Sequence, residues 1–253
     1  MNQKMLGVTI ERQTQNDILD KIVKNITSQA GFLHIVSLNP ENLVIAQENE
    51  KFRKALNDAQ IRIVDGFGIV LASKILNVEA GERVTGINLM KKLIDTASKM
   101  RLKVLLIGGR PNLALRLAEC YGKKYPEAEF LGIEGVANIQ NPKKEEEEKI
   151  FSIVLDYKPN LVFVAFGSPD QELWLSRHKD QFINMVCMGV GGAFDYLSGT
   201  IPRAPFLIRK IGLEWVFRLV VQPWRWRRQL RLISFLFLVS RKHFCFLGVK
   251  RSS

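Results

Sequence analysis

The sequence predicts an α/β fold, an open and mostly parallel sheet with helices on both faces, followed by a helical C-terminal appendage suited to a membrane surface. Three observations predict it. Short β-branched runs, most of them apolar throughout, recur along the body of the chain, as strands covered on both sides should. Stretches of helical periodicity lie between them, an alternation that reads as a Rossmann-like sheet. Basic residues crowd into one end: from Arg203 onward, twelve Lys or Arg accompany a single acid, Glu214, so this segment carries +11 of the whole-chain +12.

In chain order the predicted strands are LHIVSLN (33–39), IRIVDG (61–66), KVLLIGG (103–109), LVFVAFG (161–167) and MVCMGVGG (185–192). LGVTIE and EFLGIEG are candidates for further strands. Helical periodicity runs through 42–57, 86–100, 111–125, 142–157 and 170–182, and a further helix is expected to begin near Phe67. The acidic run Glu145 to Glu148 reads as a solvated helix face, since consecutive helical residues point in different directions. A boundary falls near Gly199, dividing an α/β body (1–198) from the appendage (199–253). After Pro202 and Pro205 a helical pattern runs to about Val221, and Pro223 opens another at its favoured first-turn position. In that last helix Trp226, Leu230, Ile233 and Phe237 share one face at i, i+4, i+7 and i+11.

Composition narrows the class. With 253 residues, 47% of them hydrophobic, the chain can bury one sizeable core. Three cysteines without CxxC spacing argue for a reducing compartment, with no disulfide frame and no zinc knuckle. The N-terminus lacks the apolar core of a secretory signal, and no stretch reaches the roughly 20 apolar residues of a spanning helix. A cytoplasmic protein held peripherally on the inner face of the membrane is therefore expected. The cationic, Trp-containing appendage suits an anionic membrane surface; nucleic acid is not expected as a partner, because it would leave the greasy run 232–239 unexplained.

In an open parallel sheet, ligands bind beyond the carboxyl ends of the strands. Those ends carry Ser37 and Asn39, Asp65 and Gly66, Gly108 and Gly109, Gly167 with Gln171 and Glu172, and the segment from Gly191 to Asp195. Asp65 could take a proton from an attacking hydroxyl, or it could cap the helix near Phe67. KVLLIGGR and GVGGAFDYLSG could wrap a diphosphate or be plain glycine turns. Arg218, Arg225 and Arg228 suit a pyrophosphate or, equally, a lipid headgroup. Neither GxGxxG nor a P-loop is present, no DxD or GxSxG occurs, and His34, His178 and His243 lack ligand spacing, so no metal is expected.

GSPDQELW (167–174) together with GVGGAFDYLSGTIPRAPFLIRKIGLEWVFRLVVQPWRWRRQ (189–229) resembles the bacterial N-acetylmannosaminyltransferases that build the linkage unit of wall teichoic acid. SLNPEN, VDGFGIV and RVTG agree, and the similarity extends from about Leu6 to Leu238. The resemblance implies metal-independent, inverting transfer of N-acetylmannosamine from a UDP-sugar donor to the 4-hydroxyl of N-acetylglucosamine on undecaprenyl diphosphate, with no cofactor. It makes Asp65 the general base, with Ser37, where the family usually has Thr, and Asn39 beside it. It further implies Gln171 as an active-site glutamine, Arg83, Gly109, Gly192 and Asp195 around the nucleotide sugar, and Arg218, Arg225 and Arg228 completing the site. A sibling transferase for N-acetylmannosaminuronic acid or glucose, or a non-catalytic nucleotide-sensing module at the membrane, remains the alternative, and a homo-oligomer is left open.

Overall fold

The computed structural model describes residues 3–210, 212–223 and 226–250, leaving aside the side chains of Arg209, Lys210, Arg227, Gln229 and 245–250. Six strands form one sheet: β3 (Leu33–Leu38), β4 (Ile61–Val64), β5 (Lys103–Gly108), β6 (Glu129–Ile133), β7 (Leu161–Ala165) and β8 (Val186–Gly189), after a two-stranded hairpin of β1 (Gln3–Met5) and β2 (Val8–Ile10). The order across the sheet is β4-β3-β8-β7-β5-β6, and every neighbouring pair is parallel. LGVTIE thus joins no main sheet. Leu6 and Gly7 both take positive φ, the conformation of a two-residue hairpin turn, and fold β2 back onto β1.

Alternate residues of the strands feed separate apolar layers. Ile35, Ile63, Leu106, Phe163 and Met188 pack under α1 (Gln15–Ser28), α5 (Gly86–Met100), α6 (Leu113–Lys124) and α9 (Ala193–Leu197). Val36, Leu38 and Val64 face the other way, against α2 (Pro40–Glu48), α3 (Glu50–Asp58) and α4 (Phe67–Ile75). On that same side Leu105, Val162 and Cys187 meet α7 (Lys144–Tyr157) and α8 (Asp170–Arg177). Helices therefore cover both faces.

The predicted helix 42–57 is two helices. Asn49 ends α2 and caps α3, its side chain accepting the Phe52 N–H at 2.9 Å. The 170–182 stretch ends as α-helix at Arg177 and continues as a 3-10 turn, Lys179–Phe182. Helix α1, absent from the sequence reading, is opened by a Thr14–Asp17 capping box and buries Ile18, Ile22 and Ile26 at four-residue intervals. Within the acidic run, Glu147 turns inward: its carboxylate accepts from Trp174 Nε1 at 2.8 Å and lies 3.1 Å from His178 Nε2. A solvated face is the wrong description for that one residue.

Among the described residues beyond 199, Phe235 and Val239 pack into the same apolar layer as β3, α2 and α4. The helix expected up to Val221 is broken into α10 (Phe206–Lys210) and α11 (Glu214–Val221) around Gly212, whose φ of +80° and contact with Phe67 leave no room for a Cβ. The last helix, α12 (Trp226–Lys250), lies against α2 and α4. Its buried stripe is Phe235 and Val239, while Trp226, Leu230, Ile233 and Phe237 are exposed. Glu41 of α2 clamps it through Arg228 (2.9 Å) and Arg231 (2.5 Å). Phe235→Ala is expected to cost about 3–5 kcal/mol of folding stability, as for any fully buried aromatic, and denaturant unfolding checks it.

Candidate active site

A cavity of about 420 Å³ opens at the carboxyl ends of β3 and β4. There α2 departs from β3 to one face of the sheet, and α9 departs from the neighbouring β8 to the other. Such a divergence leaves a crevice that loops cannot fill. Asn39, Asp65, Arg83, Tyr196, Arg203 and Arg218 line its polar part, and Phe67, Leu71, Trp215, Leu232 and Leu236 its apolar wall.

Asp65 follows β4 directly. Its N–H donates to the Leu38 carbonyl at 2.8 Å, which holds it beside the end of β3. The cap of α4 is Gly66, at a φ of +108° and without a side-chain bond, so Asp65 does not cap that helix. Its Oδ2 instead accepts the N–H of Gly86, the first residue of α5, at 3.2 Å. Burial raises the Asp65 pKa to about 6; Glu214 pushes the same way, while the Gly86 N–H, Arg83 and Arg203 oppose. A carboxylate so placed binds a proton readily near neutrality and still gives it up.

Ser37 stands across Gly86 from Asp65. A methyl group on Gly86 would come within 3.4 Å of Ser37 Oγ and 3.6 Å of Asp65 Oδ2, so this glycine keeps the space between them open. Asn39 caps α2 by accepting the Asn42 N–H at 2.8 Å and also borders the cavity. Arg83 is held by a bridge to β4, in which Val84 N–H donates to the Val64 carbonyl at 3.0 Å.

The basic residues of the C-terminal segment divide. Arg218 lies over the Tyr196 ring, 5.0 Å from its centroid, with Gly192 beneath it; a Cβ on Gly192 would meet Arg218 Nη2 at 2.6 Å. Arg228 borders the cavity and pairs with Glu41. Arg203, not singled out from the sequence, also enters, bonded to Asn88 Oδ1 at 3.0 Å and 3.6 Å from Glu214. Arg225 and Trp224 lie outside the described residues.

Five candidates from the sequence, Ser37, Gly109, Gln171, Gly192 and Asp195, do not border the cavity among the described residues. Gln171 is buried, and its Oε1 accepts the N–H groups of Gly167 (3.1 Å) and Gly191 (2.9 Å). Gly109, at a φ of +88°, packs on Phe194 and Leu113. Asp195 pairs with Arg110 at 2.9 Å. Arg203 and Tyr196 are the cavity's additions; IPRAP and GAFDYLSG carry them, but nothing in either segment says which residue turns inward. Among the described residues, no three His, Cys, Asp or Glu side chains gather to hold a metal ion.

The family model described as the glycosyl transferase WecG/TagA/CpsF family matches residues 3–246. Curated relatives from Staphylococcus aureus strains NCTC 8325 / PS 47 and COL carry the name N-acetylglucosaminyldiphosphoundecaprenol N-acetyl-beta-D-mannosaminyltransferase. Each is 30% identical to this chain over 231 residues, covering 91% of this chain and 87% of the relative.

Proposed function

This chain belongs to the WecG/TagA/CpsF family of glycosyl transferases, and from that premise we propose that it moves N-acetylmannosamine from a UDP donor to the 4-hydroxyl of a polyprenyl-diphosphate-linked N-acetylglucosamine. The observation that carries the reading is the meeting, in one cavity, of Asp65 with Arg218 and Arg228 from the far end of the sequence. A base and phosphate-binding guanidiniums are what a direct displacement at a sugar diphosphate requires.

In that displacement the Asp65 carboxylate takes the proton of the acceptor hydroxyl. The freed oxygen forms a bond to the anomeric carbon from the face opposite the diphosphate, and the breaking C–O bond delivers its electrons to the departing UDP. Arg218 and Arg228 stabilise the charge that grows there, without a metal. Ser37 and Asn39 orient the reacting groups, while Gln171 acts at a distance by holding the Gly167 and Gly191 turns. Arg110, Asp195 and the glycines at 109 and 192 shape the nucleotide side.

A lipid-linked acceptor must be met at a bilayer, and no helix among the described residues is long and apolar enough to cross one. The exposed stripe of α12, with Phe237 and Ile233 each 65% accessible, supplies the apolar contact for peripheral binding at the cytoplasmic face. Ile233→Glu combined with Phe237→Glu is expected to weaken binding to anionic vesicles by about tenfold or more, with folding stability moved by only about 0.5 kcal/mol. Vesicle cosedimentation and thermal unfolding of the pair variant check both halves.

The reaction itself is tested with a labelled UDP-sugar and a lipid-diphosphate acceptor. Label appearing on the lipid supports the proposal. Tight nucleotide binding with no label transferred would make the protein a sensing module instead.

A further inference from the structure

Behind the strand ends, apart from the cavity, four polar side chains from two segments of the chain are bonded in series. Gln171 and Glu172 lie in the first turn of α8, Ser168 in the turn before it, and Asn42 in the first turn of α2. Asn42, Gln171 and Glu172 are buried, with at most 4% of their surface accessible. Backbone partners fix both amides. Gln171 Oε1 accepts two N–H groups, so Nε2 is the atom that meets Glu172 Oε1 at 2.8 Å. Asn42 Nδ2 donates to the Ser37 carbonyl at 2.8 Å, so Oδ1 is the atom that faces Ser168 Oγ at 2.9 Å. Ser168 Oγ is also 2.8 Å from Glu172 Oε2.

A hydroxyl has one proton to give. Asn42 Oδ1 can only accept. Were Glu172 ionised, both partners of Ser168 would be acceptors, and one of the two short contacts would set lone pair against lone pair in a buried site. A proton on Glu172 Oε2 removes the conflict: Glu172 donates to Ser168, Ser168 donates to Asn42, and Gln171 donates to the remaining Glu172 oxygen.

We propose that Glu172 is a neutral carboxylic acid in the native protein and acts, through Ser168 and Asn42, as a positioning residue that holds the Ser37–Asn39 end of β3 in place. Burial points the same way, pulling the Glu172 pKa up to about 7 against the Gln171 and Ser168 hydrogen bonds. The charged group that acts on it is Asp170, on the same helix, and it too favours the neutral form. An acid raised in the folded state lends stability that is complete below its unfolded pKa, about 4.5, and is lost as pH rises through about 7.

Glu172→Gln separates the two protonation states. The amide reproduces the neutral acid, with Nε2 donating to Ser168 and Oε1 accepting from Gln171, and it cannot titrate. The expected result is a thermal midpoint at about pH 6 no lower than that of the native protein, and a flatter midpoint profile up to about pH 8. Infrared spectra at about pH 6 should contain a neutral-acid carbonyl stretch in the native protein and in Asp65→Asn that is missing from Glu172→Gln. Ser168→Ala should lower the midpoint with either residue at position 172.

The positioning role rests on the catalytic reading of the cavity, and it predicts that Glu172→Gln keeps kcat/KM within about twofold while Ser168→Ala lowers it. The protonation state does not rest on that reading: native protein that transfers no sugar but shows the band still supports it. A Glu172→Gln protein that unfolds well below the native midpoint or fails to fold, or a neutral-acid band unchanged by the substitution, would overturn the proposal.

Discussion

Asp65→Asn is expected to lower kcat by about a thousandfold, within the range that general-base catalysis contributes, while the protein stays folded and binds its nucleotide. The asparagine Oδ1 can still accept the Gly86 N–H, so the local backbone has no reason to move. The pH profile adds a second signature. Native kcat/KM should rise with pH through about 6 as the carboxylate ionises, and the residual activity of the variant should lose that limb. Stability should move the opposite way. A carboxyl whose folded pKa lies above its ordinary 3.8 contributes stability that is complete below that value and disappears as pH rises through about 6. At about pH 8 the neutral amide should therefore unfold no earlier than the native protein, and the gain is at most about 3 kcal/mol. Turnover and thermal unfolding across pH test this together. Near-native turnover with the acid limb intact would put the base elsewhere.

Arg218→Ala is expected to reduce kcat by about a hundredfold to a thousandfold, the usual effect of removing one donor from a site where negative charge develops. Its guanidinium is held between the Tyr196 ring and the bare backbone of Gly192, which aims it into the cavity. Loss of the ring contact should cost only about 0.5–1 kcal/mol of stability. Arg218→Lys should recover little activity, because a lysine has neither the planar face for the ring nor the fork for a diphosphate. Steady-state kinetics beside vesicle binding decide the matter: unchanged kcat with weakened vesicle binding would make Arg218 an anchor.

The arginines also show where charge counting misleads. The +11 of the C-terminal segment suggests a bilayer patch, yet Arg203, Arg218 and Arg228 border the cavity and Arg231 is paired with Glu41. Arg241 and Lys242 are exposed, and Lys242 Nζ donates to the Lys4 carbonyl at 3.3 Å. The membrane contact proposed above therefore rests more on the apolar stripe of α12 than the composition implies.

Strand ends and helix starts were legible because their causes are local. A run such as Leu105 to Ile107 belongs in the middle of a covered sheet whatever surrounds it, and the Asn39–Pro40 pair stops a strand and starts a helix through its own bonds. The same holds for the helix that the sequence reading missed, since Thr14 and Asp17 signal it within four residues. Gln171 was legible as a motif residue, but its bonds to the Gly167 and Gly191 turns were not: spacing in a motif carries no information about which side of a turn an amide faces.

What the sequence determined by itself was the layered α/β body, the order of its elements and the small set of strand-end residues among which chemistry could lie, because periodicity, capping and glycine turns act over a few residues. Long-range packing settles which stripe of α12 is buried, that Asp65 serves α5 rather than α4, and that Glu147 turns to Trp174. A helix apolar on several sides has no preferred face until α2 and α4 are set against it, and a carboxylate chooses its donor only when distant backbone has been brought within reach.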